Sequence, residues 1–283
     1  MDKFAGVGNR WAAVFTVDEN TGLPEVSTSS KTPVQPTLVE RVKTFSATDP
    51  EPQRITHVGD DRPHAADALP PTEIGSFVVT TAQTNFGLEA LLTDTKVVSE
   101  GVGDDALKVA GINTNKRGRE RRVAYITYRQ ALNTAKGSPL SGSQRIWHGY
   151  IYPSVLLSPS TQSMEAQATD KVYNATISPT AQAIWGETFT EAKHGYTAVE
   201  GVQFSTKYEP RFNVWKGNGT FADFLLSHAP VGTAALKVWV DGTLQAPTGV
   251  NVSLANPSFT LATPPANNAY VFAIIETNNP GSN

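Results

Sequence analysis

Short segments with a two-residue hydrophobic period dominate the chain. Trp11–Val17 (WAAVFTV), Ser76–Thr81 (SFVVTT), Val123–Arg129 (VAYITYR), Ile146–Tyr152 (IWHGYIY) and Leu236–Val240 (LKVWV) are dense in β-branched and aromatic residues. Each is bounded by Gly, Pro, Asn or Asp turn signals, so each predicts a strand. One segment has helical spacing instead. In 84–95 (TNFGLEALLTDT), Leu88, Leu91 and Leu92 fall on one face, with Thr84 or Asn85 placed as the N-cap. The expectation is an all-β protein of about a dozen strands with one short helix laid against a sandwich or barrel.

Two stretches break the strand pattern. Residues 18–36 and 46–72 are long, polar and rich in proline. Connections of that length usually carry a function of their own. Within 46–72 a short ITHV is expected to pair as a strand between two arms. Both stretches are too polar to bury by themselves, so the expectation is that they order against a neighbouring subunit or stay mobile.

The distribution of charge divides the chain. Residues 218–283 hold three acids (Asp223, Asp241, Glu276) and one base (Lys237), whereas the preceding 217 residues hold 23 acids and 22 bases. Charge density therefore falls about threefold across the glycine-rich Lys216-Gly217-Asn218-Gly219. A break of this kind predicts a domain 1–216 followed by a small β-sandwich, 217–283, of immunoglobulin size or less. In the second piece the strands LKVWV, VNVSL, SFTLA and AYVFAII are separated by turns at DG, NP and PPANN.

Composition narrows the chemistry. The formal net charge is −3 and the isoelectric point is near 6.0, which argues against a dedicated nucleic-acid-binding domain. The chain has no cysteine, which excludes disulfides, thiolate metal sites and a cysteine nucleophile. The amino-terminal MDKFAGVGNRWAAVF lacks an apolar segment after a basic start, so no secretory signal is expected. The longest apolar run, YVFAII at 270–275, is too short for a membrane span.

The best metal-like constellation is HVGDDRPH, with His57, Asp60, Asp61 and His64. Imidazole and carboxylate together suit zinc or non-haem iron, but a turn-rich loop lacks the fixed spacing of known metal motifs, and the two acids also read as turn-formers. No G-x-S-x-G is present and no glycine-rich run continues into a phosphate loop, so no catalytic residue or cofactor is assigned. The strand around IWHGYIY offers Trp147, Tyr150 and Tyr152 as rings that stack on sugars if they are exposed, or as ordinary cross-strand packing if they are not. The most conspicuous charge run is KRGRERR, residues 116–122, with five cations: Lys116, Arg117, Arg119, Arg121 and Arg122. It has no companion basic surface in the sequence, and Glu120 interrupts it. Phosphate binding needs several contacts around a groove, so the run reads as a hairpin tip rather than a nucleic-acid site.

The order of these elements resembles that of a known family. The C-terminal KVWVDGTL … SFTLATPPANNAYVFAIIE (237–276) is similar to a pattern common in bacteriophage virion proteins, a Val-Asp-Gly turn followed by a Thr-Pro-Pro hairpin and a final apolar strand. The strand IWHGYIYPSVLLSP (146–159), the segment TISPTAQAIWGETFT (176–190) and the polar loop running into LPPTEIGSFVVTTAQ (69–83) with a single helix after it resemble the major tail tube proteins of long-tailed, non-contractile phages. That resemblance implies a structural virion protein, not an enzyme and without cofactors, assembled in the host cytoplasm. Subunits would form hexameric rings that stack into a tube through long loops, with an immunoglobulin-like domain appended. Its partners would be copies of itself, the tape measure and tail terminator proteins, and DNA only as transient cargo in the lumen. Lys116, Arg117, Arg119, Arg121 and Arg122 would then lie outside the lumen, against an acidic surface of another subunit. The alternative is a tail-tip or fibre-type virion protein that binds host carbohydrate through Trp147, Tyr150 and Tyr152.

Overall fold

A computed structural model describes residues 4–26, 29–48, 53–59, 62–69, 75–82, 85–100, 109–112, 120–133, 145–165, 168–178, 180–181, 184–186, 198–199, 201–246 and 249–278. The chain is all-β with one short α-helix among these residues. Its first part runs β1 (Phe4–Thr16), β2 (Thr37–Thr48), the hairpin β3 (Gln53–Gly59) and β4 (Arg62–Leu69), β5 (Ser76–Thr81) and α1 (Phe86–Leu92). There follow β6 (Val97–Glu100), β7 (Val109–Ile112), β8 (Arg122–Asn133), β9 (Arg145–Glu165), β10 (Ala168–Ile177), the short pair β11 (Thr180–Ala181) and β12 (Ala198–Val199), and β13 (Val202–Thr206). The second part holds β14 (Glu209–Lys216), β15 (Asp223–Leu225), β16 (Leu236–Val240), β17 (Thr243–Leu244), β18 (Val250–Ser253), β19 (Ser258–Leu261) and β20 (Tyr270–Thr277).

Six antiparallel strands close into a barrel in the order β10-β5-β2-β1-β8-β9, with β9 returning to β10 and β13 added on the free edge of β9. Closure falls to β9, whose 21 residues serve two neighbours in succession. Residues 147–151 pair with β13, and residues 155–165 pair with β10, while β8 runs along 145–156. Closing the sheet removes the unpaired edges that an open sheet would present.

The two-residue period sorts side chains into separate cores. Ala12, Val14, Val123 and Tyr125 point into the barrel, where they meet Phe77, Val79, Val155, Leu157 and Tyr173. Their neighbours Ala13, Phe15, Ala124, Ile126 and Tyr128 point outward and are buried just as fully, against Phe212, Val214, Phe272 and Ile274 of the second part. This explains why WAAVF and VAYITY read as nearly continuous apolar runs: both faces are covered. Helix α1 caps the barrel with Leu88 and Leu92. It starts at Asn85, whose side chain accepts from the Leu88 backbone N–H at 3.0 Å.

In the second part a four-stranded sheet, β14-β20-β16-β17, faces a three-stranded sheet, β15-β19-β18. Trp215, Phe224, Val238, Phe259, Val271 and Ile275 fill the space between them. The four-stranded sheet is therefore also buried twice, once here and once against the barrel. Asp241 and Gly242, both at positive φ (45° and 75°), form the two-residue hairpin expected at the DG of KVWVDGTL.

The structure departs from the sequence expectation in two places. The unit that contains β20 begins at Glu209, since β14 pairs along its whole length with β20. The fall in charge marks where polar strands stop being needed, not where the sheet starts. Residues 18–36 also find their partner within the chain. Val34 exchanges both backbone hydrogen bonds with Val214, and the Lys31 carbonyl accepts from the Leu225 N–H (2.9 Å) and the Trp215 indole (3.1 Å). Lys31 Nζ adds an ion pair with Asp223 at 2.6 Å. The segment straps the outer edge of β14.

Gly149 lies at the closest approach of β9 to its neighbours. A Cβ there would meet the Thr127 carbonyl oxygen and the Phe204 ring, the latter at 2.6 Å. We expect Gly149→Ala to destabilise by about 1–3 kcal/mol through overpacking, read as a lowered midpoint in thermal unfolding. Gly232→Ala, where a Cβ meets nothing within 4 Å, should leave the midpoint unchanged.

Candidate functional site

Of the basic stretch, Lys116, Arg117 and Arg119 lie outside the described residues. Arg121 and Arg122 stand at the start of β8 and are engaged by their own chain. The Arg121 N–H donates to the Leu92 carbonyl at the end of α1 (3.0 Å), and its guanidinium pairs with Asp94 (2.6 Å) and Glu25 (3.3 Å). Arg122 donates to Ser178 Oγ at 2.5 Å and to Ser154 Oγ at 3.4 Å. Glu120 accepts from Ser158 Oγ at 3.0 Å. These contacts fasten the helix end and the β9–β10 region to the mouth of the barrel. With Arg121 39% exposed, its ion pairs contribute little stability each. Their effect is on position.

The three strand aromatics are not brought to one surface. Trp147 packs against Tyr128 (ring centroids 5.9 Å) on the side facing the second part. Tyr152 points into the barrel against Phe45 and Phe77. Only Tyr150 is exposed, at 41%, edge-on to His148. A stacking platform of three rings is therefore not built. Of the HVGDDRPH group, Asp60 and Asp61 lie outside the described residues, and His57 and His64 are placed only by backbone, on β3 and β4. Among the described residues no cluster of three His, Asp or Glu is arranged to hold a metal, and no helix is long and apolar enough to cross a membrane.

Sequence reasoning missed two buried charged groups. Under α1, Lys171 Nζ lies 3.2 Å from Glu89 Oε1, with side chains 10% and 5% exposed. Tyr173 sits beside them. Burial, with the Glu89 charge adding to it, raises its hydroxyl above the ordinary tyrosine range. The signal was legible, because Lys171 occupies an inward position in the alternation Lys171, Tyr173, Ala175, Ile177. At the foot of the second part, Arg211 and Glu209 form another buried pair at 2.9 Å. Tyr128 is raised mainly by burial, with Arg211 opposing. A third feature is a cleft of about 780 Å³ between β13 and the β16–β17 hairpin, floored by Trp185 and Trp239 and rimmed by Phe204, Lys237 and Leu244.

Two histidines, His148 buried and His228 half-buried, complete the set. His148, bonded through Nδ1 to Ser205 Oγ at 3.1 Å, is held below the ordinary imidazole value by burial and then by Arg129. His228 is lowered by burial and by Arg211. His228 Nδ1 in turn lies 2.8 Å from Ser227 Oγ. No model of a known protein family matches the chain, and no curated protein matches it in sequence.

Two outcomes follow from this geometry. Lys171→Met strands the Glu89 carboxylate in the barrel mouth and should cost about 3–5 kcal/mol in denaturant unfolding, whereas the double substitution Glu89→Gln/Lys171→Met should recover much of that loss. Because both histidines have depressed folded values, stability is complete above their ordinary value of 6.5 and falls as pH drops below it. Unfolding midpoints measured from about pH 7 to pH 5 should decline, and His148→Gln should flatten the decline.

Proposed function

We propose that the chain is a structural virion protein, the major tail tube subunit of a long-tailed, non-contractile bacteriophage. Subunits assemble into hexameric rings that stack into a conduit for genome delivery. The observation that carries this reading is the hairpin of β3 and β4, residues 53–69. It forms its own two-stranded sheet and pairs with no strand of the barrel among the described residues. A two-stranded hairpin is marginal in water by itself. An element built in this way finds its stability against another copy, and a repeating head-to-tail contact generates an open tube.

The closed barrel with one helix agrees with the resemblance drawn from the sequence, and so does the two-sheet unit that follows, which we take as the immunoglobulin-like appendage. The tube works by shape, without an active site or cofactor. Its partners are other copies, the tape measure and terminator proteins, and DNA in transit. The KRGRERR run serves assembly on this reading, through Lys116, Arg117 and Arg119, with Arg121 and Arg122 anchoring its end. The carbohydrate-binding alternative loses its main support, since Trp147 and Tyr152 are packed in two different cores.

Negative-stain electron microscopy across a concentration series tests the proposal. Hollow rings and stacked tubes are expected for the intact chain. Replacement of 53–69 by a short Gly-Ser linker should leave a folded subunit that no longer stacks. A monomer at every concentration, also when seeded with purified tail-tip complexes, would overturn the reading.

A further inference from the structure

The barrel has two outer faces of opposite character. Strands β1 and β8 are covered by the second part. Across the barrel, β5 and β10, with β2 and the second half of β9, are left open. Their outward side chains register in rows. Ser46 lies beside Val78, Val78 beside Asn174, and Asn174 beside Ser158. The next row is Thr48, Ser76, Thr176 and Leu156. Thr44, Thr80 and Val172 extend the surface on the other side.

None of these positions is charged or aromatic, in a chain with 17% charged residues. The charges at the margin are occupied. Lys43 pairs with Asp170 at 2.5 Å, Glu120 accepts from Ser158, and Arg122 is held by Ser154 and Ser178. Arg41, at a bulge with φ +55°, stands beyond the rows. An open sheet face usually keeps itself soluble with lysine and glutamate. This one uses seven hydroxyls and an amide, with Val78, Val172 and Leu156 set among them.

We propose that this face lines the lumen and is the surface past which duplex DNA slides; the inference rests on the tube reading. The chemistry is that of a surface which neither holds nor repels a polyanion. Cations would bind phosphates through counterion release and slow transit. Carboxylates would raise the cost of filling the tube. Aromatic rings would stack on exposed bases. An uncharged surface of Ser, Thr and Asn with a few aliphatic side chains between them does none of these. The placement agrees with the fold, because the appended second part sits on the opposite side and would occupy the tube exterior.

The absence of native cysteine allows a direct test. Val78, 40% exposed, becomes Val78→Cys in one variant; Asn174→Cys is a second probe of the same face, and Leu254→Cys, at a residue 45% exposed in the second part, is the exterior control. On dispersed subunits, a small maleimide and a maleimide carrying a polymer too wide for the lumen should label all three. On assembled tubes, the small reagent should still label all three, while the bulky one labels only Leu254→Cys. Labelling of Val78→Cys and Asn174→Cys by the bulky reagent on tubes would put the face outside and overturn the inference with the tube intact. Loss of labelling even by the small reagent would bury it between subunits and overturn it equally. If no tube forms from the unmodified chain even when seeded with purified tail-tip complexes, the tube reading itself falls. A Val78→Lys/Asn174→Lys tube should in addition retain duplex DNA at low salt and release it as salt rises, which the unsubstituted tube should not.

Discussion

A sheet without ends needs a strand that can leave one neighbour and take up another, and in this barrel that strand is β9. Its first residues lie between β8 and β13, and its last ones lie beside β10. The exchange happens around Pro153 and Ser154, where the pairing with β8 shifts register between Tyr125 and Val123. Everything inside the barrel depends on this bend. It sets Val155 and Leu157 opposite Ile177 and Ala175, and it turns Ser154 to receive Arg122.

The second constraint is that β1 and β8 have no free face. Inward they meet the barrel core, and outward they meet the β14–β20 sheet through stacked and edge-on rings such as Phe212 with Phe272 and Tyr128 with Phe212. Aromatic contacts of this kind add to ordinary apolar burial. The two parts of the chain share this layer as one continuous core, so the second part is held by far more than a linker.

Much of the fold was legible because these constraints leave simple patterns. SFVVTT and LKVWV match β5 and β16 residue for residue, since each is a strand with clean turn signals on both sides. The helix was placed by its leucines and by Asn85. The length of β9 was not legible, because Pro153, Pro159 and the serines around them break the apolar run that would have announced it. The strap over 29–34 was hidden for a different reason: backbone groups make most of its contacts, and the Lys31 and Ser29 side chains that reach Asp223 and Gly217 carry no spacing that points to partners so distant in sequence. The buried Lys171 could have been found from its phase in the strand. Arg121 and Arg122 looked like part of a uniform basic run, although each has specific partners distant in sequence. The open hydroxyl face was invisible as a face, since it comes from four strands that only closure brings side by side.

The strap also carries a temporal meaning. Lys31 and Val34 bond to Trp215, Leu225 and Val214, and the indole bond alone closes a separation of 184 residues. During synthesis the β1–β2 connection leaves the ribosome long before β14 exists. Glu25 can meet Arg121 once β8 is made, but Lys31 and Val34 have no native partner among the contacts described until β14 and β15 have emerged. The first loop made is among the last to lock, and it locks across the joint between the two parts. A chain interrupted before β14 therefore lacks the outer cover of β1 and β8 as well as the edge that holds this loop, leaving Phe15, Ile126 and Tyr128 in water. Completion of the second part is therefore what gives the first its outer cover.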